Sequence, residues 1–218
     1  MQAKVKKGLS LIMEDSTAIR KTCYAAAKNK GPILDVLRSL DRPPRRIFEV
    51  SSGTGEHSEM FLSSLPEIEC YQPSEMDMTM MESIIDWTKF FRNKCRLPIK
   101  LDVTSAIDVE SLESAFDCLI NINLIHISPP ETTGALFDVA NRLLSEEGVV
   151  VTYGPYRVAG AMVESNEAFD LSLKNRNGEW GIRDLEWVQQ EAKKRGFDLV
   201  QSVPMPANNL TNIWRRCR

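Results

Sequence analysis

The sequence predicts an α/β protein: a doubly wound, Rossmann-like sheet of seven strands, mostly parallel, in the order 3-2-1-4-5-7-6, closed by a C-terminal antiparallel hairpin. Three observations carry this. Short apolar runs alternate with stretches of helical period, the pattern of parallel strands joined by crossover helices. One such run leads directly into Ser51-Ser52-Gly53-Thr54-Gly55 and then into a helix. The final two apolar runs are joined by too few residues for a crossover helix, so those strands pair antiparallel.

The elements follow in order. A helical period over 33–40 is broken by Pro43-Pro44. Residues 47–50 read as the first strand, and 56–65 as a helix stopped by Pro66. The second strand is read at 68–72. Over 79–93, Met80, Ile84, Trp87 and Phe91 fall on one helical face. Residues 99–103 and 117–123 read as strands three and four. Over 132–144, Leu136, Val139, Ala140 and Leu143 line one side of a helix. Glu147-Gly148 turns the chain into 149–153, a continuous apolar run suited to a strand buried on both faces. Residues 154–183 show no regular period and read as an insertion or lid, because long patternless loops usually serve binding. Asp184 is placed as the N-cap of a helix over 185–195, and Gly196 as its stop. Strands at 197–203 and 210–215 complete the count.

Composition fits one domain over residues 1–218, with 1–22 as an N-terminal extension. Apolar residues make up 43% and charged residues 26%, the balance of a globular chain and not of a disordered one. No stretch approaches the roughly 20 apolar residues of a membrane span. Residues 8–13 are too short for a signal-peptide core. Cys23, Cys70, Cys95, Cys118 and Cys217 are scattered and form no CxxC pair. They read as reduced thiols of a cytoplasmic protein, with the nucleus as the alternative, and they suggest no zinc site. A net charge of −3 argues against a nucleic-acid partner, and no metal-ligand spacing is visible around His126.

A C-terminal antiparallel hairpin on a doubly wound sheet is the usual finish of class I methyltransferases, which bind S-adenosyl-L-methionine (SAM) and release S-adenosyl-L-homocysteine (SAH). Their loop reads acid-x-Gly-x-Gly-x-Gly. Glu49, Gly53 and Gly55 match it, and Ser51 stands at the first glycine. Such a loop lets backbone approach a ligand, and the helix behind it offers free N–H groups to a carboxylate. A dinucleotide fingerprint wants Gly or Ala where Ser58 stands, so an NAD(P)-dependent oxidoreductase is the runner-up. Glu75, past strand two, is placed on the ribose hydroxyls, with Asp77 as competitor. Asp102, at the end of strand three with Val103, is placed on the adenine, against a capping role. Asn121 and Asn123 in strand four need partners, which the amino and carboxylate groups of the methionine end would supply.

A family resemblance sits on Glu49-Val50-Ser51-Ser52-Gly53-Thr54-Gly55-Glu56-His57, Tyr71-Gln72-Pro73-Ser74-Glu75, Leu124-Ile125-His126-Ile127-Ser128, Tyr153-Gly154-Pro155-Tyr156, Trp180-Gly181-Ile182-Arg183-Asp184 and Met205-Pro206-Ala207-Asn208-Asn209. With these strings the chain resembles the methyltransferase-like 26 family from about position 23 onward. The resemblance implies the class I fold and SAM as cofactor, and no settled substrate. The family also carries Ser at the first-glycine position. It carries Arg-Asn before Pro-Ile-Leu, where this chain has Lys28-Asn29 before Pro32-Ile33-Leu34.

For the reacting end, His126, Tyr153 and Tyr156 are the candidates, with Arg157 beside them. Methyl transfer needs alignment, dehydration and, for weakly acidic nucleophiles, a base. His126 is either that base or a ring packed under the next helix. His57 reads as structural or as a cofactor neighbour. The insertion carries Glu164, Glu167, Asp170 and Glu179 against Arg157, Lys174, Arg176 and Arg183, which suits a small-molecule acceptor, or a protein side chain, better than a nucleic acid. A SAM-dependent methyltransferase is the expected function. A non-catalytic SAM-binding protein of the same fold is the other alternative.

Overall fold

A computed structural model describes residues 19–113 and 115–217, so most of the predicted extension over 1–22 lies outside the described residues. The sheet has seven strands: β1 (Arg46–Val50), β2 (Cys70–Glu75), β3 (Ile99–Lys100), β4 (Phe116–Ile122), β5 (Leu144–Gly154), β6 (Phe197–Met205) and β7 (Asn209–Arg216). Their order is β3-β2-β1-β4-β5-β7-β6, as expected. β1 through β5 pair in parallel, and β7 is antiparallel to both β5 and β6.

Successive residues of each strand face opposite sides, so a fully buried strand feeds two cores. On one side Ile47, Ile120, Val151 and Ile213 meet Ile33 and Leu37 of α1 (Tyr24–Arg38) and Phe61 of α2 (Glu56–Ser64). On the other, Phe48, Leu119, Val150 and Trp214 meet Phe137 of α5 (Glu131–Leu143) and Val188 of α7 (Leu185–Lys193). Trp214 is fully buried, and its Nε1 donates to Thr152 Oγ1 at 3.0 Å, which satisfies the one polar group the ring carries. Helices α3 (Met81–Thr88) and α4 (Ala106–Glu110) connect β2 to β3 and β3 to β4.

Several elements differ from the sequence reading. Strand β5 begins at Leu144, ahead of the expected Glu147-Gly148 turn, with an irregular register between Phe116 and Cys118. The helix expected over 79–93 is regular only over Met81–Thr88, and α4 was not expected. Helix α1 begins at Tyr24, nine residues before the apolar period, and contains Pro32. Strand β2 is shifted to Cys70–Glu75 and runs through Pro73. Tyr71 bonds Lys94 and Arg96 on the β3 side, so Pro73 faces that side too, and the ladder to β3 starts only at Ser74. The proline therefore forfeits no ladder bond. Strand β3 stops at Lys100, which leaves Asp102 in a turn. Thirteen residues of 154–183 form a helix, α6 (Glu164–Arg176). Asp184 makes no side-chain cap and instead pairs with Arg157 at 3.3 Å.

The five cysteines are free, with Cys23 and Cys217 exposed and Cys70, Cys95 and Cys118 buried. Burial pushes the Cys95 thiol up to about 11 and the Cys118 thiol higher still, so neither reacts as a thiolate at neutral pH. A thiol reagent should therefore modify two cysteines of the native protein quickly and all five only in denaturant. Rapid native modification of a third would contradict the packing around β1, β2 and β4.

Candidate active site

The glycine loop is a strained turn tied down on both sides. Beyond β1 the chain takes positive φ at Ser51 (58°), Gly53 (57°) and Gly55 (94°). A side chain in that region costs roughly 1–2 kcal/mol, which Ser51 bears and the two glycines do not. A Cβ at Gly53 would meet nothing within 4 Å, whereas one at Gly55 would lie 2.8 Å from the Ile84 Cα. Gly53 thus opens the loop, and Gly55 lets α2 pack on α3. The Ser52 N–H donates to Ser74 O at 2.9 Å, and Ser83 Oγ donates to Thr54 O at 2.7 Å. Glu49 faces inward, where Ser58 donates to it and so ties α2 to β1. Burial pushes its pKa up to about 6, against the hydrogen bond from Ser58.

Two acids stand at the carboxyl ends of β2 and β3. Glu75 Oε2 accepts from Gly53 N at 2.8 Å, while Oε1 accepts from Met76 N at 2.9 Å and Asp77 N at 3.0 Å. A carboxylate has about four acceptor sites, so Glu75 keeps one for a ligand while shaping the loop. Asp77 caps a turn through Thr79 N at 2.9 Å. Asp102 Oδ1 accepts from Thr104 N at 2.9 Å and Thr104 Oγ1 at 2.7 Å, the capping role, and Oδ2 has no hydrogen bond among the described residues. Val103 is buried behind it.

At the tip of β4, Asn121 Nδ2 donates to Val50 O at 3.1 Å, and its Oδ1 is buried without a partner among the described residues. Asn123 is the first residue past the strand, in a left-handed conformation at φ 70°, and its N–H donates to Tyr153 O at 2.8 Å. His126 follows, buried. Its Nδ1 would lie 3.0 Å from a Cβ on Gly154, so the bare glycine is what admits the ring. Burial, with the charges of Arg183 and Arg176, pushes the His126 pKa down to about 4, so the imidazole is neutral at pH 7.

The 154–183 segment covers that ring. Phe169 of α6 meets His126 edge-on with centroids 5.7 Å apart, and Gly181 N donates to His126 O at 3.0 Å. Phe169 remains 38% exposed. Polar ties hold α6 down: Asn166 Nδ2 to Asn208 O at 3.1 Å, and Ile182 N to Asp170 Oδ1 at 2.7 Å.

The two tyrosines part company. Tyr156 lies in the core with its hydroxyl donating to Thr152 Oγ1 at 3.2 Å. Tyr153 faces α1 and α2 at the end of β5, near Asn29 and His57. Ser51, Gly53, Glu75, Asn121, Asn123, His126 and Tyr153 thus gather along the carboxyl edge of β1, β2, β4 and β5, the switch point where doubly wound sheets bind ligands. Asp102 and Val103 flank that edge past β3, and Glu49 and Tyr156 lie within the protein. Asn29 joins the group; in the sequence it figures only within Lys28-Asn29 of the family string, with no role of its own.

A separate cavity of about 260 Å³ beside β3 is lined by Phe48, Gln72, Lys100, Asp108 and Phe116 and holds none of the predicted ligand residues. Among the described residues no group of three His, Cys, Asp or Glu could hold a metal ion, and no helix is long and apolar enough to cross a membrane.

A family model described as "Protein of unknown function (DUF938)" matches residues 20–216. Among solved structures, the mitomycin 7-O-methyltransferase MmcR superposes with a TM-score of 0.72 at 13% identity, over 87% of this chain and 54% of that one. An O-methyltransferase family protein from Burkholderia thailandensis gives 0.73 at 13%, over 86% and 56%. CalO1, a methyltransferase in calicheamicin biosynthesis in its SAH-bound form, gives 0.69 at 12%, over 87% and 54%. The chain spans about half the length of these structures. At such identities the likeness is one of fold, the seven-stranded class I methyltransferase fold.

Proposed function

The chain belongs to the DUF938 family, and from that premise and its fold we propose that it is a SAM-dependent methyltransferase related to the methyltransferase-like 26 proteins, acting on a small-molecule hydroxyl in the cytoplasm. The observation that carries this is the orphaned Asn121 Oδ1 at the tip of β4, whose Nδ2 is held on Val50 O at the end of β1 where the glycine loop begins. A buried unpaired amide oxygen costs about 1–3 kcal/mol, and the ammonium of a methionine end is the kind of donor that relieves it. The donor set fits the rest of the cofactor. The first turn of α2 offers backbone N–H groups, Glu75 a free acceptor site for a ribose hydroxyl, and Asp102 Oδ2 an acceptor for an adenine amino group. Asn123 lies next to Asn121 for the amino-acid end.

When bound, the cofactor supplies an activated methyl group on a sulfonium. His126 is then the group to take the proton of the attacking hydroxyl, since a buried neutral imidazole has one nitrogen free to accept. Phe169 and the rest of 154–183 form the lid of a single domain, excluding water from that proton transfer. One structural neighbour is named as a mitomycin 7-O-methyltransferase, which supports a small acceptor over a protein side chain.

Calorimetry with SAH tests the binding half. Wild type should bind, and Glu75→Ala should weaken binding roughly tenfold or more, the worth of a charge-assisted hydrogen bond. Unchanged affinity would move the ribose to Asp77. Binding of NAD(P) in place of SAH would replace the methyltransferase reading with the oxidoreductase one. Tritiated methyl transfer into fractionated cell extract tests the rest. Label in the low-mass fraction, lost in His126→Ala, supports the enzyme; SAH binding without transfer to any fraction would make the protein a non-catalytic binder.

A further inference from the structure

Behind the glycine loop, three buried polar side chains from three elements meet: Asn29 of α1, His57 of α2 and Tyr153 of β5, at 6%, 8% and 6% exposure. His57 Nε2 lies 2.7 Å from Asn29 Oδ1. Burial, with the charge of Lys30, pushes the His57 pKa down to about 4, so the ring is neutral at pH 7. Only one arrangement then satisfies the pair: Nε2 carries the proton and donates to Oδ1. This fixes the Asn29 amide, with Oδ1 spent on His57 and Nδ2 left as a donor. Burial raises the Tyr153 pKa, and the neighbouring Asn29 amide opposes that rise, so the hydroxyl lies on the Nδ2 side of the pair. A phenol oxygen that accepts from Asn29 keeps its own proton for a third partner. This polar series runs from His57 through Asn29 toward Tyr153, whose hydroxyl makes no hydrogen bond among the described residues.

We propose that this O–H binds the carboxylate at the amino-acid end of SAM, with Asn29 and His57 as positioning residues that aim it; the inference rests on the SAM reading above. Three observations select a carboxylate of the cofactor over the methyl acceptor. His57 lies two residues past Gly55, so the His57–Asn29 pair is tied to the cofactor loop. Tyr153 faces α1 and α2, whereas the next residue, Gly154, faces His126; the hydroxyl and the candidate base lie on opposite sides of the β5 tip. Neutral donors under the field of Lys30 suit an anion, and a charge-assisted bond is about twice as strong as a neutral one.

Calorimetry with two ligands tests it: SAH, and 5′-methylthioadenosine, which keeps the adenosine and thioether but lacks the amino-acid end. Tyr153→Phe keeps the packing and removes only the donor. It should weaken SAH roughly tenfold or more and leave methylthioadenosine unchanged. Asn29→Ala should show the same selective loss, smaller in size, and ¹⁵N chemical shifts should report His57 as the Nε2–H tautomer in wild type and a mixture in Asn29→Ala. Equal weakening of both ligands, or SAH affinity untouched by either variant, would overturn the inference alone. Unchanged SAH affinity with slowed methyl transfer in Tyr153→Phe would overturn the carboxylate assignment and give the hydroxyl to the acceptor. A wild type that binds no SAH would overturn the cofactor reading and this inference with it.

Discussion

Alanine at Gly55 should lower the free energy of unfolding by roughly 3 kcal/mol, while alanine at Gly53 should cost about 1 kcal/mol. Both positions have positive φ, so both substitutions bear the left-handed penalty. They differ in what the new methyl meets. At Gly55 it would lie 2.8 Å from the Ile84 Cα and 3.3 Å from the Trp87 Cβ, and the backbone of α3 cannot swing aside as a flexible side chain would. At Gly53 it enters open space. A typical domain has a stability of about 5–15 kcal/mol, so the Gly55 loss is a large fraction of the whole. Urea unfolding reads both values, with an unchanged slope marking a change of stability and not of cooperativity. Equal costs at the two glycines would show that α2 and α3 are not in the close contact described.

Acidification from pH 6.5 to 4.5 should destabilise the protein by roughly 3 kcal/mol. His57 and His126 both have pKa values near 4 in the fold, held down first by burial, against about 6.5 in an unfolded chain. Their contribution is intact above pH 6.5 and is lost as pH falls through 6.5 toward 4, because the unfolded chain takes up the proton first. Over this window each loses about 2 kcal/mol. Glu49 acts in the opposite sense. Its folded value of about 6 lies above the ordinary carboxylate value, so its contribution is present below about 4.5 and lost as pH rises through 6. It returns about 1.5 kcal/mol on acidification, which the two histidines outweigh. Urea midpoints from pH 7.5 to 4.5 should fall steadily, and His57→Gln and His126→Gln should each flatten the profile. A midpoint constant or rising between pH 6.5 and 4.5 would contradict the buried, neutral state of both rings.

Strands β1, β4 and β5 are legible in the sequence because their apolar residues fill two cores at once. The order and the hairpin are legible from spacing, since chain length alone forbids a crossover between β6 and β7. Helix α6 is not. Its buried residues are Asn166, Asp170 and Leu173, so it is fastened by hydrogen bonds and carries no apolar stripe for periodicity to detect. The first half of α1 hides for the same reason: between Tyr24 and Lys30 only Ala26 and Asn29 are buried. Strand-end polar residues such as Glu75 and Asn121 stand out because a polar group in an apolar run needs a partner. Asn29 does not, because its partners, His57 and Tyr153, come from elements 28 and 124 residues further along the chain.

Strand β7 lies between β5 and β6 although it is made after both. On the ribosome, β6 emerges with no neighbour to join, and Val149 to Gly154 of β5 wait with a full row of unpaired amides and carbonyls until residues 209–216 arrive. That edge carries Val149, Val150, Val151 and Tyr153, and an open apolar edge recruits another chain. A nascent chain stalled just short of β7 is thus the form most in need of a chaperone, and the joining of β7 to β5 is the step at which synthesis, folding and aggregation compete.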